Sequence, residues 1–424
     1  MTGQEAIAYI HTYNWEKHAP GLERMRQLLR ALGDPQKELK FVHVAGTNGK
    51  GSTCAMLASV LQEAGYRVGL NTSPYIMTFH ERIRVNGEMI SDAALADLTE
   101  RIRPIAEGME EHPTEFELIT AIALLHFREQ KCDIVVLEVG LGGALDASNV
   151  IDCPEVAVLT AMGMDHMAIL GNTMAEIAEA KAGIIKDGGA VVSYGGCPEA
   201  DAVFRRVCAQ RGAALQEVDL GRLQQVEASL GGAVFDFVPL RRLRLPLAGV
   251  YQTKNAAAAL TALEILAEKG WNIPEDAIRR GLANVRWPGR FEVLRREPLF
   301  LLDGAHNAHG IRAAAESLQA LLPDGRAVLV LGVLADKDVE EMLDRLTPLT
   351  EQAFVLRPDS PRAMSAEALC GLLCQRGVLA RACESVERAV ECAVEAAGRD
   401  GAVCALGSLY MSGAVRDAVK KLPQ

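Results

Sequence analysis

Twelve residues, Val42-His43-Val44-Ala45-Gly46-Thr47-Asn48-Gly49-Lys50-Gly51-Ser52-Thr53, constrain the fold more than any other stretch of this 424-residue chain. The apolar run Phe41–Ala45 reads as a buried strand, and a helix follows over about Lys50–Ala64. A strand that turns through glycines straight into a helix is half of a βαβ unit, so its sheet is expected to be parallel. Glycines in such a turn let backbone N–H groups point inward around an anion, and the helix N-terminus adds positive potential. Lys50 supplies a mobile positive charge suited to β- and γ-phosphates. The stretch is not a strict Walker A loop, G-x-x-x-x-G-K-[ST], because Val44 stands where the first Gly belongs and Gly51 follows Lys50. A ligand-free glycine turn is the bland alternative. It gives no reason for Lys, Ser and Thr to fall together at the helix start, where phosphate sites occur.

The rest of the chain alternates short β-branched runs with helical patterns. Strands are expected at Tyr66–Leu70, Ile134–Val139 and Val156–Ala161, and helices near Ser91–Ile105, Glu115–Glu129, Met174–Ile184 and Gln252–Glu268. Ser73–Gly87 has no clean period and reads as a loop, and Leu215–Leu245, with Gly231-Gly232, reads as an antiparallel segment. Trp287-Pro288-Gly289 marks a break. After it the alternation restarts: Leu299–Leu302, Ala308–Leu321, Ala327–Leu331, Val339–Leu346, Ala353–Leu356, Ala366–Leu373, Ala402–Leu406 and a closing helix. The expected fold is therefore α/β in two domains, 1–290 and 291–424, with no internal repeat.

Composition narrows the function. Hydrophobic residues make up 49% of the chain and charged residues 23%, the balance of a globule with a large core. The net charge of −11 argues against broad binding to a nucleic-acid backbone, which needs a basic face. The N-terminus shows no signal-peptide pattern, and apolar runs such as Ile134–Leu137 are too short to cross a bilayer. The ten cysteines include no C-x-x-C pair; Cys370 and Cys374 are four apart on an expected helix. Buried thiols in a reducing cytosol are the expectation, rather than disulfides or zinc.

Further segments carry chemistry. Val136-Leu137-Glu138-Val139-Gly140-Leu141-Gly142-Gly143 sets a carboxylate in an apolar strand, where it needs a partner or a metal. Its glycines are not a dinucleotide fingerprint, since Leu145 stands at the third glycine. Thr114 with Glu117 reads as a capping box, and Met164-Asp165-His166 sits at the carboxyl end of a strand, where ligands bind in open α/β sheets. The spelling G-T-N-G-K-G-S resembles the loop of the folylpolyglutamate and dihydrofolate synthases, ATP-dependent amide ligases related to the Mur peptidoglycan ligases. Mur loops usually lack the glycine after Lys, so Gly51 favours the folate branch. The similarity runs over nearly the whole chain. It includes Thr72-Ser73-Pro74 with Glu81-Arg82-Ile83, Thr114-Glu115-Phe116-Glu117, Lys181-Ala182-Gly183-Ile184-Ile185-Lys186, Asn255-Ala256-Ala257, Trp287-Pro288-Gly289-Arg290-Phe291-Glu292, Asp303-Gly304-Ala305-His306-Asn307, Lys337-Asp338 and Gly407-Ser408-Leu409-Tyr410. Five positions depart from the family pattern: Tyr75 and Tyr251 replace His, Ala144 replaces Arg, Ser148 replaces Thr and Ala180 replaces Glu.

The resemblance implies a P-loop ATPase-like N-terminal domain with a mostly parallel sheet, and a smaller Rossmann-like C-terminal domain that brings glutamate. It implies ATP contacts from Asn48, Gly49, Lys50, Gly51, Ser52, Thr53, Asn255, Arg290 and Asp303. It implies one or two Mg²⁺ ions, with K⁺ as a further ion, held through Ser73, Glu138, His166 and a carbamylated Lys181. Arg82, Phe116 and Asp146 are the implied folate or pterin contacts, and Lys50, Lys181, Asp303 and His306 the implied catalytic set. The implied reaction activates a folate or dihydropteroate carboxylate as an acyl phosphate and couples it to L-glutamate, with closure about residues 286–295. The implied enzyme is a cytoplasmic monomer whose partners are ATP, L-glutamate and a reduced folate or dihydropteroate, with no nucleic acid or membrane. The alternatives weighed are a Mur-type ligase of a nucleotide-sugar peptide, a P-loop ATPase driving motion or transport, and a nicotinamide oxidoreductase. The last is disfavoured by the broken glycine pattern.

Overall fold

The computed structural model describes residues 1–13 and 21–423, which pack as two units. The first comprises Met1–Met162, His166–Leu220 and Asn255–Val285; the second comprises Gly163–Asp165, Gly221–Lys254 and Arg286 onward. The expected junction near residue 290 lies beside the change of unit after Val285, and the stretch Gly221–Lys254 packs with the second unit.

The strands of the first unit are β1 (Phe41–Ala45), β2 (Val68–Asn71), β3 (Ile83–Val85), β4 (Glu88–Met89), β5 (Ile134–Glu138), β6 (Val156–Leu159), β7 (Ala190–Ser193) and β8 (Ala214–Glu217). They form one sheet in the order β4-β3-β2-β5-β1-β6-β7-β8. From β2 to β8 every pairing is parallel; β3 and β4 add an antiparallel edge. Strand β1 is central and buried along its whole length. Continuous apolar runs such as Ile134–Leu137 suit that position, because helices cover both faces of a parallel sheet. Helix Glu115–Glu129 is buried continuously from Glu117 to Phe127, so it shows no polar stripe.

Some sequence expectations fail here. Ser73–Gly87 is not one loop: it contains a 3₁₀ turn at Phe79–Arg82 and strand β3. Strands of three and two residues are too brief for alternation to register. Helices Gly3–His11, Glu23–Ala31, Pro198–Gln210 and Glu275–Asn284 were also absent from the pattern reading, as was β7. Leu215–Leu245 divides: its start belongs to the parallel edge strand β8, and the antiparallel part begins only at residue 223.

That antiparallel part is a sheet of β9 (Leu223–Ser229), β10 (Gly232–Phe237) and β11 (Leu240–Leu245) in the second unit. The larger sheet of that unit comprises β12 (Glu292–Arg296), β13 (Leu299–Leu302), β14 (Ala327–Leu331), β15 (Thr350–Val355), β16 (Ala380–Ala382) and β17 (Ala402–Leu406). Its order is β12-β13-β17-β14-β15-β16, parallel except for β12. Alternate residues serve opposite faces: Leu301, Leu329 and Leu331 join one core, Phe300, Val328 and Val330 the other. The ten cysteines are free thiols. Among the described residues, no helix is long and apolar enough to cross a membrane.

One close approach in the first unit can be tested. Helix Glu275–Asn284 meets helix Lys50–Glu63 at Gly281, where an added Cβ would stand 2.4 Å from Val60 Cα, and Ser59 Oγ donates to Gly281 O at 2.7 Å. Gly281→Ala gains about 1 kcal/mol of helix propensity. It meets backbone that cannot yield, and overpacking of this kind costs about 1–3 kcal/mol. The expected result is a lower thermal midpoint; an unchanged or raised one refutes the packing argument.

Candidate active site

The turn after β1 is built by close packing. Gly46 has φ +151°, and an added Cβ would lie 1.9 Å from Thr160 Oγ1 on the neighbouring chain segment. Gly49 caps the helix at φ +87°, with Asn255 Oδ1 2.6 Å from where a Cβ would be. Asn255 is buried and lies over the loop. Thr47 N and Asn48 N both donate to Ala161 O, at 3.0 and 3.1 Å. Ser52 and Thr53 are buried in the first turn of the helix, and the Thr53 hydroxyl has no hydrogen-bond partner among the described residues.

Two lysines converge on this turn. Lys50 Nζ donates to Gly46 O at 3.1 Å and Thr47 O at 3.2 Å. Lys181, buried near the end of helix Met174–Ala182, donates to the same Gly46 O at 2.9 Å. Lys181 is therefore not an exposed helical lysine. At the end of β5, Glu138 is buried and its Oε2 accepts from Ser73 N at 3.1 Å. His166 takes the left-handed conformation, φ +52°, at the start of a short helix, Met167–Leu170. Asn and His tolerate that conformation better than most residues do.

The loop following β5 brings together Phe116 and Asp146, two of the expected folate contacts. An added Cβ on Gly140 would lie 2.5 Å from the Phe116 ring, so only glycine lets that ring lie against the loop. Asp146 is buried and accepts from Leu141 N at 2.8 Å, Ser148 N at 2.9 Å and Ser148 Oγ at 2.5 Å. Burial raises its pKa, while these bonds oppose the shift. The loop continues onto the helix bearing Lys181: Ala144 N donates to Ala180 O at 2.8 Å, and Asn149 Nδ2 bridges Ala144 O and Gly183 O, each at 3.1 Å. The expected capping box at Thr114 is present, with Glu117 N donating to Thr114 Oγ1 and Thr114 N to Glu117 Oε2. Arg82 lies over the Tyr75 ring at 5.0 Å, so the tyrosine that replaces the family's histidine carries a cation–π contact.

In the second unit, Asp303 is buried at the end of β13 and loaded with donors. Its Oδ2 accepts from Tyr251 Oη and Phe291 N, both at 2.7 Å, and Oδ1 accepts from Ala305 N at 2.7 Å. Burial pushes its pKa up; Tyr251 and Arg290 oppose the shift. Arg290 donates to Gly289 O at 3.0 Å and lies against Gly304. His306 Nδ1 stands 2.8 Å from Gly304 O, which fixes Nδ1 as the protonated nitrogen and leaves Nε2 as the acceptor. Nε2 is 3.9 Å from Asp165 Oδ2. Burial lowers the His306 pKa, and Asp165 partly restores it. Asp165 also pairs with Lys337 and accepts from Asn307 Nδ2 at 2.8 Å. Lys337 and Asp165 lie far apart in sequence, and no local signal could connect them. The neighbour of Lys337, Asp338, caps helix Val339–Leu346 through Glu341 N.

Residues 44–263 match the model of the Mur ligase middle domain, and residues 289–409 that of the Mur ligase glutamate ligase domain. The chain is 42% identical over 377 residues to the dihydrofolate synthase/folylpolyglutamate synthase of Bacillus subtilis, covering 86% of this chain and 87% of the relative. It is 36% identical to the folylpolyglutamate synthase of Lacticaseibacillus casei, covering 99% of both. The chain belongs to the folylpolyglutamate/dihydrofolate synthase branch of the Mur ligase family. The solved structure of Mycobacterium tuberculosis folylpolyglutamate synthase with ADP and AMPPCP superposes with a TM-score of 0.90 at 31% identity over 100% of both chains. Escherichia coli FolC with DHPP and ADP gives 0.88 at 32% identity, over 99% of this chain and 98% of that one. Members of this branch are ATP-dependent ligases, and Gly51 was the residue that separated it from the Mur spelling in the sequence.

In this synthase the second tyrosine departure has a measurable consequence. Tyr251→Phe removes one of three donors from the buried Asp303 carboxylate, a loss of about 1–3 kcal/mol. The thermal midpoint should fall clearly below that of Tyr410→Phe, whose ring is 55% exposed. Equal midpoints would mean that Tyr251 does not anchor Asp303.

Proposed function

We propose that this chain joins the amine of L-glutamate to the carboxylate of a reduced folate, and also to that of dihydropteroate, through an acyl phosphate. The observation that carries the reading is the meeting of Lys50 and buried Lys181 on Gly46 O at the head of an anion-binding turn. A simple P-loop ATPase has no use for the second lysine. Two ammonium groups on one carbonyl repel each other, with little water to screen them. Reaction of the neutral Lys181 amine with CO₂ forms an N–C bond, releases a proton and turns a cation into an anion with two oxygens. That change relieves the repulsion and creates a metal ligand.

The donors Ser73, Glu138 and carbamylated Lys181 are oxygens, the set that Mg²⁺ prefers, and His166 adds a nitrogen that Mn²⁺ also accepts. Mg²⁺ bound there would neutralise charge on the transferring phosphoryl group. The chain's own residues do the rest. The Gly46–Ser52 turn holds the polyphosphate, with Asn48, Thr53 and Asn255 beside it. Lys50 and Arg290 stabilise the phosphoryl oxygens as a substrate carboxylate oxygen attacks the γ-phosphorus and ADP leaves. Phe116, Arg82 and the loop pinned by Asp146 receive the pterin. The glutamate nitrogen then attacks the acyl carbon and phosphate departs.

Either Asp303 or His306 could take the proton of the glutamate ammonium by type, and the hydrogen bonding favours His306. Asp303 already holds three donors, whereas the neutral Nε2 of His306 is an acceptor beside Asp165, which stabilises the imidazolium once formed. Asp303 then serves by holding the turn that carries Arg290 and His306. The reading takes the enzyme as a cytoplasmic monomer, in keeping with its free thiols, and assigns no step to K⁺.

The deciding experiment offers purified enzyme, Mg-ATP and labelled glutamate to dihydropteroate and tetrahydrofolate separately. Label should enter both, with one ADP formed per bond. ADP formation without label transfer sinks the ligase reading, and transfer to only one acceptor removes the bifunctional part. In the same assay Lys181→Ala should be nearly inactive and partly rescued by formate; no rescue, with a plain amine in the active enzyme, removes the carbamate. The pH profile tests His306. A base must be unprotonated, so activity is full above its folded-state pKa and falls as pH drops through it. Because that pKa lies below the ordinary 6.5, the acid limb should fall below pH 6.5. His306→Gln should abolish that limb; a persisting limb assigns it to another group.

A further inference from the structure

Strand β1 carries a histidine that the reaction does not use. His43 is fully buried, paired in register with Leu137 of β5 and Ala157 of β6. A polar ring at the centre of an apolar sheet is costly unless hydrogen-bonded. Its Nε2 lies 2.9 Å from Ser148 Oγ, and Ser148 Oγ lies 2.5 Å from Asp146 Oδ1. The hydroxyl has one proton. Asp146 also accepts from Leu141 N and Ser148 N, the pattern of an ionised carboxylate, so the hydroxyl donates to it. Ser148 Oγ must then accept from His43, which fixes the Nε2–H tautomer. His43 Nδ1 is buried with no hydrogen-bond partner among the described residues: protonation would strand an N–H there. Burial, with the charge of Lys186 second, pushes the ring's pKa down to about 3, and the ring stays neutral.

The linkage runs Asp–Ser–His, not Asp–His–Ser. The serine proton is committed to the carboxylate and the serine is buried, so this is no nucleophile and base. What the linkage holds is the loop after β5. Asp146 grips Leu141 N, and Phe116 lies on Gly140 one residue earlier. We propose that His43 is a positioning residue of the folate site, donating from Nε2 to hold the Ser148 hydroxyl on Asp146 and thereby the Gly140–Gly143 loop against Phe116. This rests on the folate-side reading of Phe116 and Asp146. Sequence hid it, because a histidine between two valines in a strand shows no partner 105 residues away.

Three variants and one spectrum test it, after wild-type turnover with dihydropteroate and tetrahydrofolate is established. His43→Leu removes the donor and should raise KM for those substrates about tenfold, the loss of one buried hydrogen bond. KM for ATP should change less than about twofold. His43→Gln offers an amide N–H near the Nε2 position and should recover most of the loss. Adding Ser148→Ala to His43→Leu should cost little more, since both break one linkage. Equal shifts in KM for ATP and folate, no shift with His43→Leu, or no recovery with His43→Gln overturns the proposal. Should a variant fail to fold, ¹⁵N NMR of ring-labelled wild-type enzyme decides. The expected ring is protonated at Nε2, bare at Nδ1 and unchanged from about pH 8 to about pH 5. An Nδ1–H tautomer, or titration in that range, overturns it. A wild type that ligates neither pterin substrate refutes the functional reading, whereas a wild type that does, with His43→Leu indistinguishable, refutes only the role of His43.

Discussion

A single peptide oxygen, that of Gly46, organises the first unit. Thr160 fills the space where a side chain would stand on Gly46, so the position must be glycine and the backbone there is fixed by β6. The carbonyl it presents receives both Lys50, from the helix that follows the turn, and Lys181, from a helix 135 residues later. One strand end thereby gathers both lysines on which the proposed reaction depends. The net charge of −11 makes the local concentration of cation more telling. A polyanion with many phosphates is repelled by the chain as a whole, while a short polyphosphate at this turn meets the Lys50 ammonium and the helix N-terminus at one point.

Much of this was legible because it is local. The turn from β1, the capping box at Thr114 and the restart of βα alternation after Pro288-Gly289 all follow from neighbouring residues obeying short-range rules. Strands β3 and β4 were not legible, since three and two residues cannot display a period. Nor was the environment of Asn255 or Lys181. Each lies on a helix whose spacing leaves its side chain open to either a surface or a buried reading, and burial was decided by the turn at Gly46–Gly49 far away in sequence.

The family departures were visible as spellings but not as physics. Tyr75 and Tyr251 both replace histidine, yet they do different things. The Tyr75 ring offers its face to the Arg82 guanidinium, a role imidazole fills less well. Tyr251 offers a hydroxyl proton to a carboxylate, which a neutral imidazole N–H could equally do. The second exchange therefore preserves a bond that the first does not need.

Two buried carboxylates carry bonds that residue type alone does not reveal. Asp303 sits just beyond the end of β13 and Asp146 in the loop that follows β5, where an acidic group invites a ligand-binding or catalytic reading. Both accept from backbone N–H groups, those of Leu141 and Ser148 for Asp146 and those of Phe291 and Ala305 for Asp303. In each case a side-chain hydroxyl completes the shell: Ser148 for Asp146 and Tyr251 for Asp303. A carboxylate so engaged has little acceptor capacity left, and each of its bonds fixes a segment of the chain. For Asp146 that is the loop beneath Phe116; for Asp303 it is the pair Arg290 and His306. In the proposed reaction the proton acceptor must be a group whose lone pair is still available, and in the second unit the Nε2 of His306 meets that condition.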